Sequence, residues 1–233
     1  MMNTKLSTNQ LVMFAISLGL WWVLLGSIQM ALGFFALIFV HEMGHVIAAK
    51  QKGLSVTMPT FTPFGAYVQT ERCRSATDEA YIKFAGPFIG GLASLVTMVA
   101  GSALGSDMMV QVGVFGVFLN LFNLLPLDPM DGGGMTQAVS KWFWIPGFAM
   151  LAYVLFFVLP FSFFNVLIGL MIGQQAYESL GHREMQRSAL PSYFAVPFTT
   201  KLVILASHIG LASGLAWVLF NKHAFLNLFA AWF

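Results

Sequence analysis

The residues of this chain best suited to chemistry stand in "IFVHEMGHVIAAK", residues 38–50, where His41, Glu42 and His45 interrupt an otherwise apolar run. His41 and His45 are four residues apart, so a helix places both imidazoles on one face, one turn apart. Such a pair can grip one divalent cation, most often Zn2+. Glu42 is rotated about 100° around the same axis. That sets its carboxylate beside the metal rather than on it, the place for a general base acting on water. The structural alternative has both histidines hydrogen-bonded to neighbouring helices and Glu42 protonated. An ionisable residue at bilayer depth costs about 2.5–3.5 kcal/mol on insertion scales. Three in one turn need a compensating partner, and a metal ion supplies one.

Composition says what must carry these residues. Hydrophobic residues make up 58% of the chain and charged residues 9%, with a mean hydropathy of +0.79. A soluble domain carries about 25% charged residues, because water must solvate its surface. Here the outer surface must meet lipid, so the expected fold class is an all-α polytopic membrane protein in contact with the bilayer. At about 20 residues per span there is room for about six to seven transmembrane helices with short loops. Residues 1–233 are therefore expected to form a single membrane-embedded domain. The net charge of +2 is too small and scattered to suggest nucleic acid. A single cysteine, Cys73, excludes an internal disulfide framework.

Spans are expected near 11–28, 30–49, 84–104, from about 109 to the polar break "LPLDPMDGGG", and near 201–220. The first is read as a retained span rather than a cleaved signal, and "GSD" at 105–107 as a tight turn. As one helix, 142–180 would reach about 51 Å against a hydrocarbon core of about 30 Å, so a turn at Pro160 is expected to divide it in two. The more polar stretch 50–83 contains "LSVTMPTFTPFGAYVQT", rich in Thr, Val and aromatic residues and broken by Pro59, Pro63 and Gly65. It reads as a short strand-like segment near residues 54–70. With seven spans, Lys5, the 50–83 loop, Lys141 and the Arg183/Arg187/Lys201 segment share one side, which the positive-inside rule makes cytoplasmic. Residues 30–40 cover about 16 Å before His41, and about 7 Å separates His45 from Lys50. The histidines are thus placed inside the membrane, toward the cytoplasmic face.

A catalytic zinc site uses three protein ligands and an open position. Asp128 and Asp131 stand in "FNLLPLDPMDGGG", where Pro126 and Pro129 prevent a regular helix and Gly132 to Gly134 allow close backbone approach. Irregular backbone at membrane depth belongs where it is buried or lines a water-filled cavity. Taken alone, the stretch also reads as a helix-terminating loop with solvated aspartates. Glu178, near His182, is a further candidate third ligand.

"HEMGH" in an early span followed by "NLLPLDPMDGG" in a later one resembles the site-2 protease family of intramembrane zinc metalloproteases. The resemblance covers about residues 11–180 and leaves the last span, about 201–220, outside the shared core. It implies one Zn2+ held by His41, His45 and Asp131, with Glu42 as the catalytic base. It also implies that Asn123 positions the substrate or steadies the tetrahedral intermediate. "TPFGAYV" resembles the family's strand region. "FAGPFIGG" resembles its AGPxxN turn, with glycine at 90 and 91 where an Asn is common. Neither a PDZ nor a CBS module is read in these residues, so a minimal form of the family is expected.

The implied function is cleavage of transmembrane segments of membrane-anchored protein substrates within the bilayer, in a prokaryotic cell (inner) membrane with the site toward the cytoplasm. A substrate helix must unwind to expose a carbonyl, and the 54–70 segment could receive it as an added strand. Two alternatives stay open: a membrane zinc protease with a Glu as third ligand, and a non-catalytic metal-binding or transport protein. His208, in the last span, is expected to make an interhelical hydrogen bond. Cys73, between Arg72 and Arg74, has neighbours that would lower a thiol pKa, yet reads as an ordinary loop cysteine.

Overall fold

A computed structural model of the chain describes residues 8–62, 65–158 and 163–230. The apolar N-terminal sequence forms α1 (Thr8–Leu25) and α2 (Ile28–Gln51). Between them stands Gly26, at φ 67°, a left-handed conformation that glycine adopts without steric cost. Ser27 caps α2, its Oγ accepting from the Met30 N–H at 3.3 Å. At the other end Gly53 takes φ 71°, and the Leu54 N–H returns to the Ala49 carbonyl at 3.0 Å. This tight C-terminal stop turns the chain out of the helix just after Lys50 and Lys52. Along α2 the buried residues include Phe34, Leu37, His41, His45 and Ala48, one stripe at helical spacing. The two histidines therefore continue a packing face that phenylalanine and leucine begin.

The segment after α2 contains β1 (Thr60–Thr62) and β2 (Gly65–Tyr67), antiparallel with Thr60 opposite Tyr67 and Phe61 opposite Ala66. A bridge between Val56 and Thr70, and the Thr57 N–H to Gln69 carbonyl bond at 2.9 Å, extend the pairing outward. The strand-like segment expected near 54–70 is thus a short ladder; Pro63 lies outside the described residues. Phe61 anchors it, its ring 5.0 Å from Phe14 and 5.3 Å from Phe35.

The remaining helices are α3 (Ala76–Ala103), α4 (Asp107–Asn123), α5 (Asp131–Gln137), α6 (Trp144–Tyr153), α7 (Phe163–Ala189), α8 (Phe198–Phe220) and α9 (Lys222–Ala230). Among the described residues, α2, α3 and α8 are long and apolar enough to cross a membrane, and shorter apolar helices lie at Val12–Leu25, Asp107–Asn123 and Lys141–Phe157. Large apolar side chains face outward, Val23 at 79% and Phe220 at 78% exposure. Such exposure suits hydrocarbon rather than water. The chain is a helical membrane protein.

Some boundaries differ from expectation. Helix α3 begins at Ala76 rather than near 84, because Ser75 caps it, its Oγ accepting from the Asp78 N–H at 3.1 Å, and Asp78 and Glu79 favour its first turn. The stretch "FAGPFIGG" is not a turn: α3 runs through Pro87. In 142–180, α6 ends at Tyr153, a π-helical stretch follows at Val154–Val158, and α7 begins at Phe163. The turn expected at Pro160 lies outside the described residues.

The chain divides into two compact units. The first holds α1, α2, the strand pair, α3 from Ala85, α4 to Leu121, the end of α8 from Ser213, and α9. The second holds Cys73–Phe84 and Phe122–Ala212, and so the start of α3, the proline-glycine segment, and α5 to α7.

Candidate metal centre

In the first unit the close passage of α2 and α3 sets the position of the histidines. A side-chain carbon at Gly44 would stand 2.5 Å from the Ala85 carbonyl oxygen and 3.0 Å from the Gly86 Cα. Two glycines thus let the backbones approach, as small residues do between membrane helices. Gly86 has a second consequence. A side-chain carbon there would collide with Cε1 and Nε2 of His45 and lie 3.0 Å from Nε2 of His41. The space that glycine leaves is where the two imidazoles converge.

The convergence is tight. His41 Nε2 and His45 Nε2 are 3.2 Å apart, and the rings meet edge to face with centroids 4.9 Å apart. His41, Glu42 and His45 are all buried, and each offers a ligand atom within 4.8 Å of the others. Two nitrogens turned toward one point, with a carboxylate alongside, are the donor set that Zn2+ takes, and the cluster fits one such ion. The structure brings together the three residues that the sequence singles out.

One residue of this site escaped the sequence reading. Asn120, on α4 and buried, places its Oδ1 2.8 Å from His41 Nδ1. Its Nδ2 donates to the Gly116 carbonyl at 2.8 Å, which assigns the oxygen to the histidine side. An amide oxygen only accepts, so His41 donates through Nδ1 and keeps its lone pair on Nε2. The available signal was an amide within an apolar span. Asn123, the asparagine singled out from the sequence, is the last residue of α4 and is half-buried.

The second unit holds the aspartates. Asp131 opens α5 and is buried, and its Oδ1 accepts from Lys83 Nζ at 3.0 Å. Gly134 leaves space for this lysine, since a side-chain carbon there would stand 2.8 Å from Lys83 Cγ. Gly132 and Gly133 lie against the Leu124, Leu125 and Leu127 carbonyls and the Asp128 nitrogen. The glycine run therefore lets the proline-broken segment fold back on the start of α5. Asp128 is engaged differently. Arg183 donates through Nε to Asp128 Oδ2 at 3.0 Å and through both terminal nitrogens to Glu79, at 2.9 and 2.5 Å. Tyr193 adds a 2.6 Å hydrogen bond to Glu79. Despite burial, Glu79 and Asp128 hold the Arg183 guanidinium above its usual pKa, so it stays charged. Burial and the Glu79 carboxylate push the Tyr193 hydroxyl up, so it remains a donor.

Other candidates are placed plainly. Glu178 is exposed on α7 and accepts from Gln174 at 3.1 Å, a poor position for a ligand that must be fixed. His208 is buried, but its Nδ1 finds no hydrogen-bond partner among the described residues, contrary to the expected interhelical bond. The thiol of Cys73 is pushed up to about 11 by burial, then by Glu79 and Asp78. Arg72 and Arg74 flank it in sequence, but the first turn of α3 brings the acids. The expected lowering is reversed, and the reading of an unreactive cysteine is kept.

A buried histidine pair with a carboxylate on a membrane-length helix defines a helical membrane protein with a candidate metal centre. Comparison with known proteins narrows the class. The model of peptidase family M50 matches residues 29–107, the stretch that carries α2 and α3. A protein named as a candidate zinc metalloprotease of Synechocystis is 29% identical over 124 residues, 51% of this chain and 32% of its own length. A zinc metalloprotease of Methanocaldococcus jannaschii is 26% identical over 110 residues, 45% of this chain and 32% of its own. Rip3 of Mycobacterium tuberculosis, also named as a candidate zinc metalloprotease, is 30% identical over 112 residues, 44% of this chain and 28% of its own. These matches bear out the resemblance to a zinc metalloprotease family, and the family model covers the first motif, "HEMGH". The chain spans about a third of the length of these relatives.

Proposed function

We propose that this chain is an intramembrane zinc endopeptidase that cleaves transmembrane segments of membrane-anchored proteins. The observation that carries the reading is the 3.2 Å approach of His41 Nε2 to His45 Nε2 on α2, a helix of membrane-spanning length. The matches to peptidase family M50 and to named zinc metalloproteases support the reaction class. In this reading the whole chain acts as one membrane-embedded domain of about six to seven spans. It lies in a prokaryotic inner membrane, with the site toward the cytoplasm as the basic loops suggest.

His41 and His45 would hold the ion, with Asp131 as the third ligand by its place in the "DGGG" element. Bound there, Zn2+ supplies Lewis-acid polarisation of water and of the scissile carbonyl. The chain's own residues do the rest. The Glu42 carboxylate takes a proton from the attacking water and returns it to the leaving amine nitrogen. The Asn123 side-chain amide donates to the oxygen that gains charge as the carbonyl is attacked. Lys83, paired with Asp131 at 3.0 Å, holds one carboxylate oxygen and so orients the other. The β1–β2 ladder receives the unwound substrate as an added strand.

The test is cleavage in proteoliposomes of a single-span substrate with a glycine-containing apolar stretch. Mass spectrometry should find the cut inside that stretch, a chelator should abolish it, and zinc should restore it. Cleavage confined to the flanking soluble segments, or unaffected by chelation, would overturn the proposal.

A further inference from the structure

We infer that Asn120 is a positioning residue of the metal centre: it fixes the tautomer and ring orientation of His41 so that Nε2 faces the ion. The inference rests on the reading of His41 as a metal ligand and deepens it.

Three observations support it. His41 and Asn120 are 6% and 3% exposed, so water does not compete for the 2.8 Å hydrogen bond between them. The Asn120 amide is itself held, through Nδ2, by the Gly116 carbonyl one turn earlier on α4. Its oxygen is therefore aimed rather than free to exchange with its nitrogen. Space is also kept for it: a side-chain carbon at Gly90 of α3 would collide with Asn120 Oδ1 and lie 2.9 Å from His41 Cβ.

Ligating histidines are oriented by an acceptor on the other ring nitrogen, and losing such a partner typically costs about 10–100-fold in metal affinity or activity. A neutral amide does this without adding charge to a site that already holds Glu42. Packing alone would need only the volume of the side chain, so the two roles separate by substitution. Asn120→Leu keeps the branched shape and removes the acceptor. Asn120→Asp keeps the acceptor and adds a buried charge. Gly90→Ala leaves Asn120 in the chain and crowds its oxygen.

The experiment measures zinc affinity of the full chain in detergent by chelator competition. It is paired with nitrogen NMR of metal-free protein labelled on the imidazole nitrogens, His41 being assigned by its absence in His41→Ala. Wild type should carry the His41 proton on Nδ1. Asn120→Asp should bind zinc close to wild type, while Asn120→Leu and Gly90→Ala should bind about 10–100-fold more weakly and lose the single Nδ1–H signal. Equal affinity in Asn120→Leu and wild type, or a worse defect in Asn120→Asp than in Asn120→Leu, would overturn the inference. Should Asn120→Leu fail to fold, Gly90→Ala decides. Should wild type bind no zinc, the metal reading falls, and the His41 signal still decides whether Asn120 sets the tautomer.

Discussion

A Glu42→Gln chain is expected to bind zinc as wild type does and to cleave its substrate about 10²–10⁴-fold more slowly. The argument is one of geometry and protonation. Glu42 is 8% exposed and its carboxylate lies within 4.8 Å of the ligand atoms of His41 and His45. Glutamine preserves shape and polarity at that position. It cannot accept the proton that water must lose on attack, so the chemical step loses its base while the ligands stay. Zinc content by atomic absorption and initial cleavage rate, measured on one preparation, separate the two functions. A variant with zinc and an unchanged rate would assign the base elsewhere. A variant without zinc would make Glu42 a ligand rather than a base.

The second large effect is expected at a residue that does no chemistry. Gly86→Ala adds one carbon, placed against His45 Nε2 and 3.0 Å from His41 Nε2. A ring at the end of a side chain can swing aside at modest cost to the fold, but the nitrogen that must point at the ion swings with it. Zinc affinity should fall about 10–100-fold, and cleavage by about 100-fold even at saturating zinc, because a 1 Å misplacement has that effect on a reacting geometry. Gly86 also precedes Pro87, and a Cβ before proline disfavours the helical conformation, so circular dichroism must accompany the affinity measurement. A helical Gly86→Ala chain with wild-type zinc affinity would contradict the convergence of the two imidazoles at this glycine.

Much of this site is local in sequence, which is why it was legible there. His41, Glu42 and His45 lie within one helical turn, and their helix is bounded by a serine cap and a glycine stop. The strand pairing at 60–67 followed from its Thr and aromatic content, with proline and glycine at its breaks. The close approach of the glycine run after Asp131 was also readable, though its partner is the segment just before it. What escaped was non-local. Asn120 meets His41 across 79 positions and Arg183 meets Asp128 across 55, and no spacing rule connects such pairs. The expected lowering of the Cys73 thiol failed for a related reason: its charges in space come from the first turn of α3, which begins earlier than the polar composition of 50–83 suggested. The division of 142–180 turned on Pro160, beyond the described residues, while the helices either side of it are present. His208 had the setting of an interhelical donor, yet its Nδ1 has no partner among the described residues.

We propose one zinc ion per chain, with His41, His45 and Asp131 as its ligands. The most direct test is zinc content per chain, in detergent, for wild type and for Asp131→Ala, Asp128→Ala and Glu178→Ala. Wild type should hold about one zinc and Asp131→Ala should lose it. Asp128→Ala, whose partner is Arg183, should keep it, as should the exposed Glu178→Ala. Zinc absent from wild type, or lost with Glu178 and retained without Asp131, would contradict the account.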